Sequence, residues 1–219
     1  MLFCSFKRGK NLKLINKKSV FIDKTVVLGN NVTIFENVRI EGNTTIGDNC
    51  VILPNSFIKD CVIGNDCSID HSHLTESVLQ NGCVVGPYAR LRPNTKLKNN
   101  VRVGNFVEIK NATLGNGTKA NHLAYIGDAD VGDNCNIGCG VIFVNYNGKT
   151  KNRSTIGDNC FIGSNTNVIA PVHVESNVYI CAGSNVTKDC KTDDFVIGRT
   201  PQQNKPNRAN HYLKKDGEN

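Results

Sequence analysis

An aliphatic residue recurs every six positions along most of this chain. It falls at Leu28, Ile34, Ile40, Ile46, Ile52 and Ile58, then at Ile63 and Ile69. It returns at Leu79, Val85, Leu91, Leu97, Val103 and Ile109, and again from Ile156 through Ile162, Val168, Val174, Ile180 and Val186. Neither the 3.6-residue period of a helix nor the alternation of an ordinary strand produces that spacing. A short fixed repeat predicts an all-β fold, a parallel β-helix in which each hexad is one short strand plus a corner. Three hexads close one triangular coil.

Two further slots agree. Four residues after the aliphatic stands a small side chain, as at Val32, Thr44, Cys50, Cys67, Cys83, Thr95, Cys135 and Thr166, suited to a narrow interior. Three residues after it stands Asn, Asp or Gly, as at Asn31, Asn37, Asn49, Asn55, Asp66, Gly82, Asn100 and Asn159. These types tolerate the positive φ of a tight corner.

The repeat predicts about nine coils over residues 25–190, one domain in a single array. Residues 1–24 read as a basic leader that caps the first coil, and residues 191–219 as an extended basic tail. The rhythm slips to five residues at several places, and one polar insertion over residues 143–155 interrupts it. A loop projecting from a smooth prism is a candidate for function. The corner code also fails at Tyr88, Phe106, Ala112, Leu123 and Ala129, and local rules tend to break at functional sites.

Composition narrows the classes. Aromatic residues make up 6% of the chain and Trp is absent, which suits a thin prism. The net charge of +7 favours anionic ligands, but no basic run interleaved with aromatics marks a nucleic-acid binder. No apolar run reaches the roughly 18 residues of a membrane span, and the leader lacks the core of a signal peptide. Six of the ten cysteines occupy the inward slot (Cys50, Cys67, Cys83, Cys135, Cys160 and Cys190) and read as free buried thiols, as a reducing cytoplasm allows.

Repeat arithmetic then locates chemistry. Arg92 and Lys110 are eighteen residues apart with no slip between them. They therefore stack one coil apart at about 4.8 Å, a pair that repels unless an anion or carboxylate intervenes. His122 points outward within a coil of them and is a candidate general base, with Glu108 near enough to orient it. His71 and His73 lack a third ligand at a suitable edge, so no metal site is expected.

Several stretches resemble a known family: Val-Gly-Pro-Tyr-Ala-Arg-Leu-Arg-Pro (85–93), Val-Gly-Asn-Phe-Val-Glu-Ile-Lys (103–110), His-Leu-Ala-Tyr-Ile-Gly-Asp-Ala (122–129), Asn-Ile-Gly-Cys-Gly (136–140), Asn-Tyr-Asn-Gly (145–148) and Arg-Thr-Pro-Gln (199–202). They are similar to the C-terminal acetyltransferase domain of the bifunctional N-acetylglucosamine-1-phosphate uridyltransferase/glucosamine-1-phosphate N-acetyltransferase family. The resemblance implies a left-handed prism, a homotrimer, and acetyl transfer from acetyl-CoA to glucosamine-1-phosphate without a metal. That product would feed UDP-N-acetylglucosamine synthesis for cell-wall precursors.

The resemblance also implies roles. His122 would take the proton of the sugar amine, Arg92 and Lys110 would hold the phosphate, and Tyr125, Asn136 and Lys151 would complete the sugar site. Cys139, Asn145, Tyr146, Ser164, Ala182 and Arg199 fall where the family contacts acetyl-CoA, in a site between subunits. Cys139 stands where Ala is usual, Asn121 where Gly is common and Asn147 where Asp is usual. The nucleotidyltransferase domain is absent from this sequence, which implies a separate uridyltransferase as partner. Two alternatives stay open: a hexapeptide acyltransferase with another amino-sugar acceptor, and a non-enzymatic trimeric assembly module.

Overall fold

The computed structural model describes residues 6–213. The first residues of the expected leader, and Lys214 and Lys215 of the expected tail, lie outside them. The described residues form a parallel sheet wound into a solenoid, with strands mostly two or three residues long.

One ladder of register partners climbs from Arg8 through the aliphatic Leu28, Ile46, Ile63, Leu79, Leu97, Leu114, Val131, Ile156 and Val174 to Cys190. A second runs from Leu14 through Ile34, Ile52, Ile69, Val85, Val103, Ala120, Ile137, Ile162 and Ile180 to Val196. A third passes through Ile22, Ile40, Ile58, Leu74, Leu91, Ile109 and Ile126. The expected repeat is thus the core of the fold, with three faces and about eleven turns.

The count exceeds nine because the array extends past both expected ends. Lys7–Arg8, Lys13–Leu14 and Phe21–Ile22 pair with the strands expected to be first, so the segment assigned to a leader is itself a coil. Phe195–Val196 likewise pairs with Tyr179–Ile180 inside the expected tail. These end coils carry degenerate hexads such as Lys-Leu, whose inward residue is only partly covered. Backbone pairing with the neighbouring coil holds them where side-chain periodicity is weak.

The interior is as narrow as the small slot implies. Ile34, Ile52, Ile69, Leu91 and Ile109 are fully buried, each worth about 1.5–3 kcal/mol of burial. The polar members of the small slot turn back onto the backbone: Thr44 Oγ1 donates to Glu41 O at 2.7 Å and Thr118 Oγ1 to Gly132 O at 2.7 Å. The six inward cysteines are buried and free, as are Cys61 and Cys181, whereas Cys139 is exposed. Several of the thiols point at carbonyls in the next coil, as Cys50 does at Gly64 O.

Corner asparagines do more than accept a left-handed backbone. Asn31, Asn49 and Asp66 have φ of 55°, 57° and 58°. Asn31 Nδ2 donates to Asn49 Oδ1 at 3.0 Å, and Asn49 Nδ2 to Asp66 Oδ1 at 3.0 Å. The column ties successive coils together along the edge.

Candidate active site

The two longest strands, Arg102–Leu114 and Lys119–Val131, pair with each other around two corners. Elsewhere pairing pauses at each corner; here it carries on, and most of the expected site residues lie on or beside these strands.

The corners in this region divide into two kinds. Tyr88, Phe106 and Leu123 occupy one corner column at φ of 58°, 58° and 33°, and all three are exposed. A bulky residue held there costs on the order of 1–3 kcal/mol. The Tyr88 and Phe106 rings stack at 5.7 Å and 9°. Ala112 and Ala129, expected at corners, are instead buried inward residues. The five-residue slips move the corner back one place, to Asn111 (φ 47°) and Asp128 (φ 49°).

The stacked cations are present, and each has its own carboxylate. Leu91 is in register with Ile109, which sets Arg92 over Lys110. Arg92 Nη1 donates to Glu108 Oε1 at 2.8 Å, and Lys110 Nζ lies 3.7 Å from Asp128 Oδ2. Asp128 also accepts from Asn111 Nδ2 at 2.5 Å and from Asn145 Nδ2. Burial pushes the Asp128 carboxyl up, but hydrogen bonds from Asn111 and Asn145 and the charges of Lys110 and Lys151 outweigh it. The net effect holds the carboxyl below its usual value. Tyr125 joins this group. Its hydroxyl accepts from Asn145 Nδ2 at 3.4 Å and lies over Gly127, where an added Cβ would meet it at 2.5 Å.

The insertion is an antiparallel hairpin. Tyr146 bridges to Lys151, and Asn147 Oδ1 accepts from the backbone N–H groups of Lys149 and Thr150 at 2.9 and 2.8 Å. Arg153 pins its return arm. Its guanidinium forks onto Asp130 at 2.6 and 2.5 Å and donates to Asn111 O and Ala129 O.

His122 belongs to a different corner. Val103, Ala120, Ile137, Ile162 and Ile180 are stacked in register, and two residues beyond each stand Asn105, His122, Cys139, Ser164 and Ala182. One edge therefore carries the candidate base and three of the expected acetyl-CoA contacts. Arg199 extends this edge by donating from Nη1 to Ala182 O, and it lines an open hollow with Ile197, Thr200, Pro201 and Gln202. Glycines allow the close stacking: a Cβ on Gly138 would meet Ser164 N at 2.6 Å, and one on Gly163 would meet Ala182 N at 2.4 Å. Asn136 faces outward on the adjoining face, between Lys119 and Phe161.

The expected pairing of Glu108 with His122 is not what the structure shows. Glu108 binds Arg92, and His122 Nδ1 lies 3.0 Å from Asn105 Oδ1. The reason is the corner between them: Glu108 sits along the next face, whereas Asn105 is the register partner of His122. Asn105, Asn111, Asp128 and Arg153 were missed by residue-type reasoning. Asn105 and Asp128 stand within the motifs quoted above, and a seventeen-residue stacking offset from His122 and Asn111 would have found them. Among the described residues no group of three or more His, Cys, Asp or Glu side chains is placed to hold a metal. His71 pairs with Asp70, while His73 packs against Phe57.

Comparison with known proteins places this arrangement. Residues 25–60 and 153–188 match the family "Bacterial transferase hexapeptide (six repeats)". The chain is 53% identical over 149 residues to the bifunctional protein GlmU of Clostridium novyi, covering 68% of this chain and 33% of the relative. It is 47% identical over 191 residues to GlmU of Clostridium botulinum strain Kyoto, covering 87% of this chain and 42% of the relative. The chain belongs to the hexapeptide-repeat family, as a GlmU C-terminal-like domain. Its prism is accordingly a left-handed β-helix. It spans about a third to two fifths of the length of these curated relatives. Among solved structures, a UDP-N-acetylglucosamine acyltransferase from Campylobacter jejuni is 17% identical over 86% of this chain and 65% of that one, with a TM-score of 0.49.

Proposed function

We propose that this domain transfers an acetyl group from acetyl-CoA to the amine of glucosamine-1-phosphate. The observation that carries the reading is the single edge on which His122 stands in line with Cys139, Ser164 and Ala182. It sets a proton acceptor in line with the row of expected acetyl-CoA contacts. The GlmU relatives supply the substrate class.

In this reading His122 takes a proton from the attacking amine as the C–N bond forms. The tetrahedral intermediate then collapses, the C–S bond breaks, and the proton passes to the departing thiolate of CoA. Arg92 and Lys110 hold the sugar phosphate, with Tyr125, Asn136 and Lys151 around the sugar. Asn145, Tyr146 and Arg199 complete the acetyl-CoA site. Free buried thiols fit a reducing compartment, so the cytoplasm is the proposed location.

The reading also takes in more than one copy of the chain, as the family resemblance implies. His122 and Gly127, the register partner of Lys110, end opposite sides of one face, five residues or roughly 16 Å apart. The side chains of His122 and Lys110 leave the prism at different corners. Asn136 faces a third direction, away from both. A trimer of prisms packed side by side would bring the three groups to one cleft.

Thiol release from acetyl-CoA by the purified protein, with and without glucosamine-1-phosphate, tests the proposal. Release that depends on the acceptor and is abolished in a folded His122→Ala variant is the expected result. Release with other amino sugars but not this one would reassign the acceptor. Absence of both release and acetyl-CoA binding would leave an assembly module.

A further inference from the structure

We infer that Asn105 is a positioning residue for His122, fixing the imidazole tautomer that leaves Nε2 free to accept the proton. The inference rests on His122 being the base, as proposed above.

Asn105 and His122 are register partners at one corner, so their side chains leave the prism in the same direction. The amide oxygen of Asn105 faces Nδ1 at 3.0 Å. A carbonyl oxygen can only accept, so Nδ1 carries the hydrogen and Nε2 keeps its lone pair outward. Free imidazole prefers the opposite tautomer, with the hydrogen on the outer nitrogen. Without Asn105 the reactive nitrogen would therefore be blocked in much of the population.

The backbone holds this contact. Gly104 lies directly against Asn121: a Cβ there would come within 1.9 Å of Asn121 O. Phe106 follows Asn105 at φ 58° and is clamped by stacking on Tyr88. The neighbouring backbone on both strands is thus fixed in the register that faces the two side chains toward each other. The carboxylate that could have served instead, Glu108, is committed to Arg92. An amide sets the tautomer without adding a charge beside the incoming substrate.

The test pairs an activity-independent signature with kinetics. Nitrogen-15 NMR of the labelled, intact protein above the imidazole titration range should show the His122 hydrogen on Nδ1. In Asn105→Ala it should shift largely to Nε2, and in Asn105→Asp, which keeps an acceptor at the same atom, it should stay on Nδ1. Asn105→Ala should lower kcat about tenfold with KM for both substrates within about twofold, the effect of one lost hydrogen bond. Asn105→Asp should restore most of that loss. A wild-type hydrogen on Nε2, or an unchanged tautomer in Asn105→Ala, would overturn the inference whatever the activity. Normal turnover in His122→Ala with the predicted tautomer shift would instead remove the base assignment and leave the contact standing.

Discussion

Arg92 and Glu108 stand on adjacent coils and are joined by a 2.8 Å charge-assisted hydrogen bond, so the carboxylate expected to orient the candidate base serves the candidate phosphate clamp instead. The same pattern repeats one coil on, where Lys110 faces Asp128. Two stacked cations are tolerated because each has a partner, and an arriving phosphate meets cations already aimed.

Replacing Glu108 by Gln should therefore act on substrate binding. Both partners are about a third exposed, which limits the pair to about 1 kcal/mol. The expected outcome is a several-fold rise in KM for glucosamine-1-phosphate with kcat nearly unchanged. Steady-state kinetics decides it: a large fall in kcat at constant KM would return Glu108 to the base.

Asp128 predicts a pH dependence of stability. Its folded value is depressed, so its contribution is fully present above the unfolded value near 3.9. That contribution is lost as pH falls through the lower folded value. Asp128→Asn should lower the melting temperature at pH 7, and the gap to wild type should narrow as the pH falls below the unfolded value of about 3.9. Melting curves across that window would show an equal gap at both ends if the carboxylate charge were irrelevant.

Gly104 tests how tightly the coils must stack beside the candidate base. Its missing Cβ faces a backbone oxygen, which cannot rotate away. Gly104→Ala should cost more than about 2 kcal/mol, in the range of severe overpacking, and lower kcat with it. Denaturant unfolding measures the first and thiol release the second. A variant of wild-type stability would mean the strands separate at little cost.

At the corners, Asn49→Ala should destabilise by about 1–2 kcal/mol, from the left-handed backbone and the lost column hydrogen bonds. Asn49→Gly should recover the backbone part only. If the two variants melt together, the hydrogen-bonded column rather than φ sets the corner preference.

The solenoid was legible in the sequence because its order is one-dimensional. Each hexad faces the same neighbours at a constant offset, so spacing between Leu91 and Ile109 already specified contact, and with it the stacking of Arg92 on Lys110. The row His122, Cys139, Ser164 and Ala182 follows from the same arithmetic once the slips and the hairpin are counted. What spacing could not supply was the direction of side chains around a corner. A one-residue slip moved Ala112 inward and Asn111 to the turn, and the corner between Asn105 and Glu108 decided which of them reaches His122. The end coils were hidden for a related reason: Lys13 and Leu14 are held by backbone hydrogen bonds to the next coil, an interaction that leaves no trace in side-chain periodicity.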